Sequence, residues 1–176
     1  MELEVETEAK QDYAQELKAK FKAHTAVVAV VGIGYVGLPL AVEKAKVGFP
    51  VIGLDRNEER VAMVNRGENY IRDVKDEELK KVVLDGKLRT STDFSELGNA
   101  DVVIICVPTP LTVHREPDLQ YIENVTREIA KHLHPGQLIS LESTTYPGTT
   151  EEVILSRLAA TGLEVGKDFF LVHSPE

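Results

Sequence analysis

The segment from Gly32 to Gly37 (GIGYVG) has the pattern G-x-G-x-x-G and follows directly after an apolar, β-branched run over residues 26–31. Such a run predicts a strand buried on both faces of a parallel sheet. At a strand-to-helix turn, Gly32 permits a tight turn, Gly34 lets a pyrophosphate approach the backbone, and Gly37 lets the helix pack close to the strand. The helix N-terminus also favours an anion. The turn therefore predicts a bound dinucleotide, with a flavin or S-adenosylmethionine as the alternatives that glycines alone leave open.

An acidic residue follows the second predicted strand. Asp55 comes directly after the apolar stretch Val51 to Leu54, about 20 positions after the glycines, where a carboxylate accepts hydrogen bonds from an adenosine ribose. This position favours NAD over NADP. The adjacent Arg56 keeps NADP open, because an arginine here can accommodate a 2′-phosphate. The structural alternative for Asp55 is an ordinary turn residue.

Strands and helices alternate along the rest of the chain. Apolar runs predict further strands over residues 101–107, 137–141 and 169–172. Residues that can begin a helix precede the segments between them, and glycines follow those segments. The predicted helix starts are Asn57, Asp76, Asp118 and Thr149, the last in a capping box with Glu152; the predicted ends lie at Gly67, Gly86, Gly136 and Gly162. This alternation predicts an α/β fold of the Rossmann type: a doubly wound, mostly parallel sheet with helices on both faces.

The first 24 residues are charged and differ in composition from the rest of the chain. Tyr13, Leu17 and Phe21 recur at four-residue spacing, which predicts a weakly amphipathic helix, with a frayed or disordered leader as the alternative. We expect residues 1–24 to form a leader and residues 25–176 to form one domain, because 176 residues suit a single domain of ordinary size.

Composition narrows the classes of partner and compartment. The formal net charge of −9 disfavours nucleic-acid binding, which depends on clustered Lys and Arg. No apolar run approaches the roughly 20 residues that span a bilayer, and the acidic start is unlike a signal peptide, so we expect a cytoplasmic protein. The single cysteine, Cys106, lies inside a predicted buried strand, where a free thiol is usually an inert packing residue. No Cys/His cluster has zinc-site spacing, so no metal is predicted.

Four motifs, in order along the chain, resemble the UDP-glucose/GDP-mannose dehydrogenase family. They are Gly34 to Ala41 (GYVGLPLA), Cys106 to Pro110 (CVPTP), Glu142 to Thr150 (ESTTYPGTT) and Ser174 to Glu176 (SPE). Within the family, residues 108–118 look most similar to the UDP-N-acetylglucosamine (or N-acetylmannosamine) 6-dehydrogenases. The alternatives are the NAD-binding domain of a 3-hydroxyacyl or 6-phosphogluconate type of dehydrogenase, and a non-catalytic NAD-sensing module, for which no basic recognition helix is present.

The resemblance implies roles for particular residues. It implies that NAD is held by the turn (Gly32, Gly34, Tyr35, Val36 and Gly37), by Asp55, by the basic residue five positions later, Arg60, and by Thr109 and Thr144. It also implies a catalytic role near the nicotinamide for Thr144, and in water activation for Glu176. The structural alternatives are an exposed helix residue for Arg60, a turn residue for Thr109 and local backbone bonding for Thr144.

One loop residue is left with two interpretations. Arg115 lies beside His114 in a loop near the proposed cofactor edge, where it could bind a phosphate or carboxylate. An ion pair with Glu116 or Asp118 is the ordinary alternative.

The resemblance implies an enzyme of polysaccharide biosynthesis that oxidises the C6 alcohol of a UDP-sugar to a uronic acid. The reaction uses two NAD and passes through a covalent cysteine adduct. The family's catalytic lysine, asparagine, cysteine and aspartate are expected beyond Glu176, and Cys106 does not fit the nucleophile because it lies in a buried strand. We therefore expect this chain alone to bind NAD weakly and to be inactive, and the whole enzyme to be a homodimer or larger oligomer.

Overall fold

The computed structural model describes residues 11–111 and 117–174. Within these ranges one parallel sheet of six strands has the order β3-β2-β1-β4-β5-β6. The strands are β1 (Val28–Val31), β2 (Val51–Leu54), β3 (Leu88–Ser91), β4 (Val102–Ile105), β5 (Leu138–Leu141) and β6 (Phe170–His173). This is the strand order of a doubly wound dinucleotide-binding sheet, so the predicted fold class is confirmed.

Helices cover both faces of the sheet. They are α1 (Tyr13–Ala23), α2 (Gly37–Val47), α3 (Glu58–Asn65), α4 (Asp76–Leu84), a 3-10 helix (Phe94–Asn99), α5 (Gln120–His132), a π-helical segment (Thr150–Leu155) and α6 (Ser156–Ala159). Successive strand residues point to opposite faces: Val28 and Val30 pack against α1 to α4, whereas Ala29 and Val31 pack against the remaining helices. The sheet is therefore buried between two apolar layers, which explains the continuous apolar runs in its strands. Within the described ranges, no helix has the length and apolar character needed to cross a membrane.

One strand was not predicted from the sequence. In β3, Leu88 and Thr90 are buried whereas Arg89 is exposed, and the guanidinium of Arg89 donates to both carboxylate oxygens of Glu96 at 2.6 and 2.7 Å. The strand lies at an edge of the sheet, so it needs no continuous apolar run. Its sequence, LRTS, is too short and polar to stand out.

Some of the predicted helix starts are confirmed and others are wrong. Asn57 caps α3, its side-chain oxygen accepting from the amide of Arg60 at 3.0 Å. The cap predicted at Asp76 is wrong, because Asp76 is already the first residue of α4. Helix α5 begins two residues after Asp118, whose carboxylate accepts from the amide of Gln120 at 2.9 Å.

The capping box predicted at Thr149 is also wrong. Thr149 already has helical backbone angles, φ −53° and ψ −40°, and its hydroxyl donates to the carbonyl of Tyr146 at 2.9 Å. A residue with helical angles directs its side chain back along the helix, away from the amide that the capping box requires.

Helix α1 occupies the segment with the four-residue spacing of Tyr13, Leu17 and Phe21. Leu17 is buried in the core, and the ring of Phe21 makes an edge contact with Phe49 at a centroid distance of 6.3 Å. Lys20 forms an ion pair with Asp101, which also accepts from the amide of Val27 at 2.8 Å. Helix α1 is therefore packed against the sheet by both apolar and polar contacts.

Candidate functional site

The glycine turn lies where the strand order reverses. From β1 the sheet continues to β2 and β3 in one direction, and from β4 to β5 and β6 in the other. Ligands of open α/β sheets bind at this point, outside the carboxyl ends of the strands. A cleft of about 370 Å³ opens there. Its lining comes from the turn, from the ends of β2, β4 and β5, and from α3: Gly32, Gly34, Tyr35, Val36, Asp55, Arg60, Cys106 to Thr109 and Glu142 to Thr144.

The structure brings most of the predicted site residues to this cleft. Gly37 does not line it but lies buried at the start of α2. Glu176 and Arg115 lie outside the described residues. Cys106 is buried, with 9% of its surface exposed, as its place in an apolar run predicts.

Two of the three glycines are required by the protein itself. Gly32 has φ +90°, and a Cβ there would lie 2.7 Å from the carbonyl oxygen of Cys106. A Cβ on Gly37 would lie only 1.7 Å from the carbonyl oxygen of Gly32. Both distances are below van der Waals contact, so these glycines allow the turn to pack against β4 and α2 to pack against the turn.

Gly34 differs, because no described protein atom requires a glycine there. Its φ is outside the left-handed region, and apart from its two chain neighbours a Cβ there would have no atom of the described ranges within 4 Å. Among the described residues, the amides of Gly34, Tyr35 and Val36 donate to no protein acceptor. Free amides at a helix N-terminus are a binding site for an anion. The turn thus fits a phosphate group that approaches the backbone at Gly34.

Asp55 is held firmly beside the turn. Its Oδ2 accepts from the amide of Ile33 at 3.1 Å and its Oδ1 from the amide of Asn57 at 2.9 Å. An ionised carboxylate has about four acceptor sites, so Asp55 retains capacity to accept from hydroxyl groups in the cleft. The Nη1 of Arg60 lies 3.9 Å from Oδ2. Asp55 therefore stabilises the turn, as an ordinary turn residue would, and also presents a carboxylate to the cleft.

A second cavity of about 200 Å³ adjoins the first and shares Gly32, Asp55 and Arg60 with it. Its walls are largely apolar and include Leu54, Phe94, Val107, Tyr121 and Val125. The guanidinium of Arg56 lies 6.0 Å from the centre of the Phe94 ring, a cation–π distance. The cavity therefore offers apolar and aromatic surfaces beside the Asp55 carboxylate.

The loops after β4 and β5 are joined to each other. The hydroxyl of Thr109 donates to the carbonyl of Thr144 at 2.7 Å, and that of Ser143 donates to the carbonyl of Val107 at 2.7 Å. Both threonines line the cleft, and Thr144 is exposed. The contact gives Thr109 a structural role that the sequence did not reveal, because the two residues are 35 positions apart.

A residue that sequence reasoning missed also contacts the turn. The hydroxyl of Tyr70 donates to the carbonyl of Ile33 at 2.6 Å. Burial raises the pKa of Tyr70 to about 12, so its hydroxyl keeps its proton at neutral pH. No local motif surrounds Tyr70, and only its long-range contact identifies it.

Comparisons with known proteins agree on one family. The model described as "UDP-glucose/GDP-mannose dehydrogenase family, NAD binding domain" matches residues 26–176. The UDP-N-acetyl-D-mannosamine dehydrogenase of Pyrococcus horikoshii is 40% identical over 150 residues, which are 85% of this chain and 36% of that protein. The UDP-N-acetyl-D-glucosamine 6-dehydrogenase of Pseudomonas aeruginosa is 41% identical over 85% of this chain and 35% of its own length.

Solved structures of other proteins have the same fold. The NDP-N-acetyl-D-galactosaminuronic acid dehydrogenase of Methanosarcina mazei Go1 superposes with a TM-score of 0.82 at 34% identity, over 94% of this chain and 37% of that one. The 3-hydroxyisobutyrate dehydrogenase of Mycobacterium tuberculosis, at 16% identity and a TM-score of 0.58, shares the fold alone. The chain spans about a third of the length of the two curated relatives from Pyrococcus and Pseudomonas.

Proposed function

Because the chain belongs to the UDP-glucose/GDP-mannose dehydrogenase family and matches its NAD-binding domain, we propose that the cleft binds NAD in a UDP-N-acetylhexosamine 6-dehydrogenase. The observation that carries the proposal is the turn at Gly34, where three backbone amides with no acceptor among residues 11–111 and 117–174 adjoin space that no described side chain fills. The family match also disfavours both the other dehydrogenase types and a non-catalytic sensing module.

Each part of the cofactor has a counterpart in the cleft. The amides of the turn would hold the pyrophosphate, the Asp55 carboxylate would accept from the adenosine ribose, and the apolar second cavity would receive the adenine. Arg60 would contact the adenosine side. The nicotinamide would then extend towards Thr109 and Thr144, which lie after β4 and β5. When bound, NAD supplies a hydride acceptor.

The names of the relatives support the substrate class. They are described as dehydrogenases of UDP-N-acetyl-D-mannosamine and UDP-N-acetyl-D-glucosamine. We propose one of these sugars as the substrate, with its C6 alcohol oxidised to a carboxylate in a four-electron reaction that consumes water and two NAD. In this scheme the hydroxyl of Thr144 orients the substrate alcohol or water beside the nicotinamide, and Glu176 contributes to water activation.

The compartment, the oligomeric state and the domain bounds complete the proposal. We propose that the enzyme acts in the cytoplasm as a homodimer or larger oligomer. We also propose that residues 25–176 are the NAD-binding domain and residues 1–24 a leader, with α1 packed on that domain. We do not propose Cys106 as the nucleophile, because reactive thiols are partly exposed and this side chain is buried although its residue borders the cleft.

Calorimetric titration of the 176-residue chain with NAD tests the cofactor assignment. We expect weak but saturable binding of NAD, with a dissociation constant in the millimolar range or lower. NADP should bind more weakly, because the Asp55 carboxylate would repel its 2′-phosphate. Saturable binding of FAD or S-adenosylmethionine, without binding of NAD, would contradict the proposal. With UDP-N-acetylglucosamine and NAD together, the absorbance of NADH should stay at baseline. Its rise would show that this chain by itself oxidises the C6 alcohol at least to the aldehyde, which would contradict the expected inactivity.

A further inference from the structure

Tyr70 connects a distant loop to the glycine turn. It lies between α3 and α4, is half-buried, and donates its hydroxyl proton to the carbonyl of Ile33 at 2.6 Å. This is a short hydrogen bond of normal geometry. Since Ile33 lies between Gly32 and Gly34, the bond acts on the part of the turn where the free amides begin.

Ile33 is held on its other sides as well. Its amide donates to Oδ2 of Asp55 at 3.1 Å, and its side chain is fully buried. A Cβ on Gly53 would lie 2.8 Å from the Cγ2 of Ile33, so the glycine in β2 lets this side chain pack against the strand. Asp55 therefore fixes the peptide before Ile33, the core fixes its side chain, and Tyr70 fixes the peptide after it.

The peptide that Tyr70 holds carries the amide of Gly34. In a planar trans peptide the carbonyl and the N–H point in opposite directions. A hydrogen bond that fixes the carbonyl of Ile33 therefore fixes the direction of the Gly34 N–H. That amide is the first of the three in the turn that have no acceptor among the described residues.

The ring of Tyr70 supports a second element of the site. The guanidinium of Arg60 lies 5.8 Å from the ring centre, within cation–π range. The same guanidinium is 3.9 Å from Asp55. The ring of Tyr70 thus lies beneath Arg60, the residue that we propose contacts the adenosine of NAD. The hydroxyl of Tyr70 reaches the turn.

The loop that carries Tyr70 is itself well ordered by local contacts. Asn69 accepts from the amide of Ile71 at 2.9 Å and donates to the carbonyl of Val74 at 2.6 Å. Ile71 and Val74 are buried in the core. The hydroxyl is consequently presented from a fixed position rather than from a side chain free to swing away.

We propose that Tyr70 is a positioning residue for the cofactor, holding the Gly34 amide towards the pyrophosphate through its hydroxyl and supporting Arg60 through its ring. This role rests on the proposed binding of NAD. The free energy gained is one of preorganisation, because a turn already fixed in the binding geometry loses less entropy when a ligand binds.

The experiment compares Tyr70→Phe with wild type in the 176-residue chain. Phenylalanine keeps the ring and its packing and removes one hydroxyl. Loss of one neutral hydrogen bond lowers affinity by about 2- to 12-fold, and we expect this loss for NAD and ADP in calorimetric titrations. Adenosine, which has no pyrophosphate, should bind both proteins equally in NMR titrations. Tyr70→Leu, which also removes the ring beneath Arg60, should weaken adenosine binding too.

Tyr13→Phe serves as the matched control, because Tyr13 lies on α1 against Gly136 and lines neither cavity of the candidate site. Melting temperatures of all variants separate binding from unfolding. Equal NAD affinity in wild type and Tyr70→Phe would overturn the role of Tyr70 alone. An equal loss for adenosine and ADP in Tyr70→Phe would also overturn it, since it indicates a general disturbance. Failure of the wild-type chain to bind NAD would overturn the proposed function together with this role.

Discussion

Gly34→Ala should separate binding from stability in this domain. Apart from its two chain neighbours, an alanine Cβ at this position would have no described atom within 4 Å, and the backbone of Gly34 is outside the left-handed region. Alanine can therefore adopt the native conformation, and it restricts the unfolded chain. The free energy of unfolding should stay unchanged or rise by up to about 1 kcal/mol.

The same substitution should weaken NAD binding strongly. The new methyl group would occupy space through which the pyrophosphate approaches the turn. A hydrogen bond to a charged group contributes about 1.5–3 kcal/mol. If the methyl group displaces the phosphate from one amide, the affinity for NAD should fall by about 10- to 100-fold.

Gly37→Ala is the control, because this substitution should lower the stability of the fold. Its Cβ would lie 1.7 Å from the carbonyl oxygen of Gly32, so α2 must move away from the turn. Alanine gains about 1 kcal/mol in helix propensity, but overlap with backbone outweighs this gain. We expect a net loss of about 3 kcal/mol, which lowers the melting temperature by about 6–12 °C in a domain of this size.

Calorimetric NAD titration and thermal denaturation of both variants make the test. We expect Gly34→Ala to lose affinity for NAD at an unchanged or slightly raised melting temperature, and Gly37→Ala to lose stability. Wild-type NAD affinity in Gly34→Ala would refute the placement of the pyrophosphate at this turn. A melting temperature of Gly34→Ala well below that of wild type would show that the space beside Gly34 is needed by the fold.

Three further substitutions test other parts of the structure. Asp55→Asn should reduce NAD affinity at least about 10-fold, because hydrogen bonds to a charged group contribute about 1.5–3 kcal/mol. It should also narrow the preference for NAD over NADP, because it removes the charge that repels a 2′-phosphate. Parallel titrations with the two cofactors measure both effects. Hydrogen bonds from Arg89 hold the pKa of Glu96 below its usual value of 4.5. A depressed folded-state pKa stabilises the protein above the unfolded value and the stabilisation is lost as the pH falls through the folded value. As the pH falls below 4.5, the free energy of unfolding should therefore decrease less steeply in Glu96→Gln than in wild type. Chemical denaturation at a series of pH values measures this. Thr109→Val removes the hydrogen bond to the Thr144 carbonyl and should cost about 1 kcal/mol of stability in chemical denaturation; an unchanged midpoint would show that the two loops hold their positions without it.

The buried strands could be predicted because their signal is local. The runs that form β1 and β4 are apolar at every position and buried on both faces, a composition that few other structures require. The edge strand β3 carries no such signal, because its pairing with β2 is made by the backbone. The helix start predicted at Thr149 is wrong because the sequence pattern does not fix the backbone angles. The residues fit a capping box, but Thr149 already has helical angles, and its hydroxyl donates to the carbonyl of Tyr146.

The chain's sequence by itself determined the parts of the site that depend on short segments. The spacing of Gly32, Gly34 and Gly37 predicted a turn after β1, because turn geometry follows from residues near one another in the chain. The acid after the next apolar run predicted a carboxylate at the same edge of the sheet, where Asp55 lies. Only the tertiary structure decided which atoms fix that turn. The hydroxyl of Tyr70 reaches Ile33 across 37 positions, and that of Thr109 reaches Thr144 across 35. Such contacts arise when strands and loops distant in sequence are brought to one edge of the sheet, and no local pattern of residues encodes them.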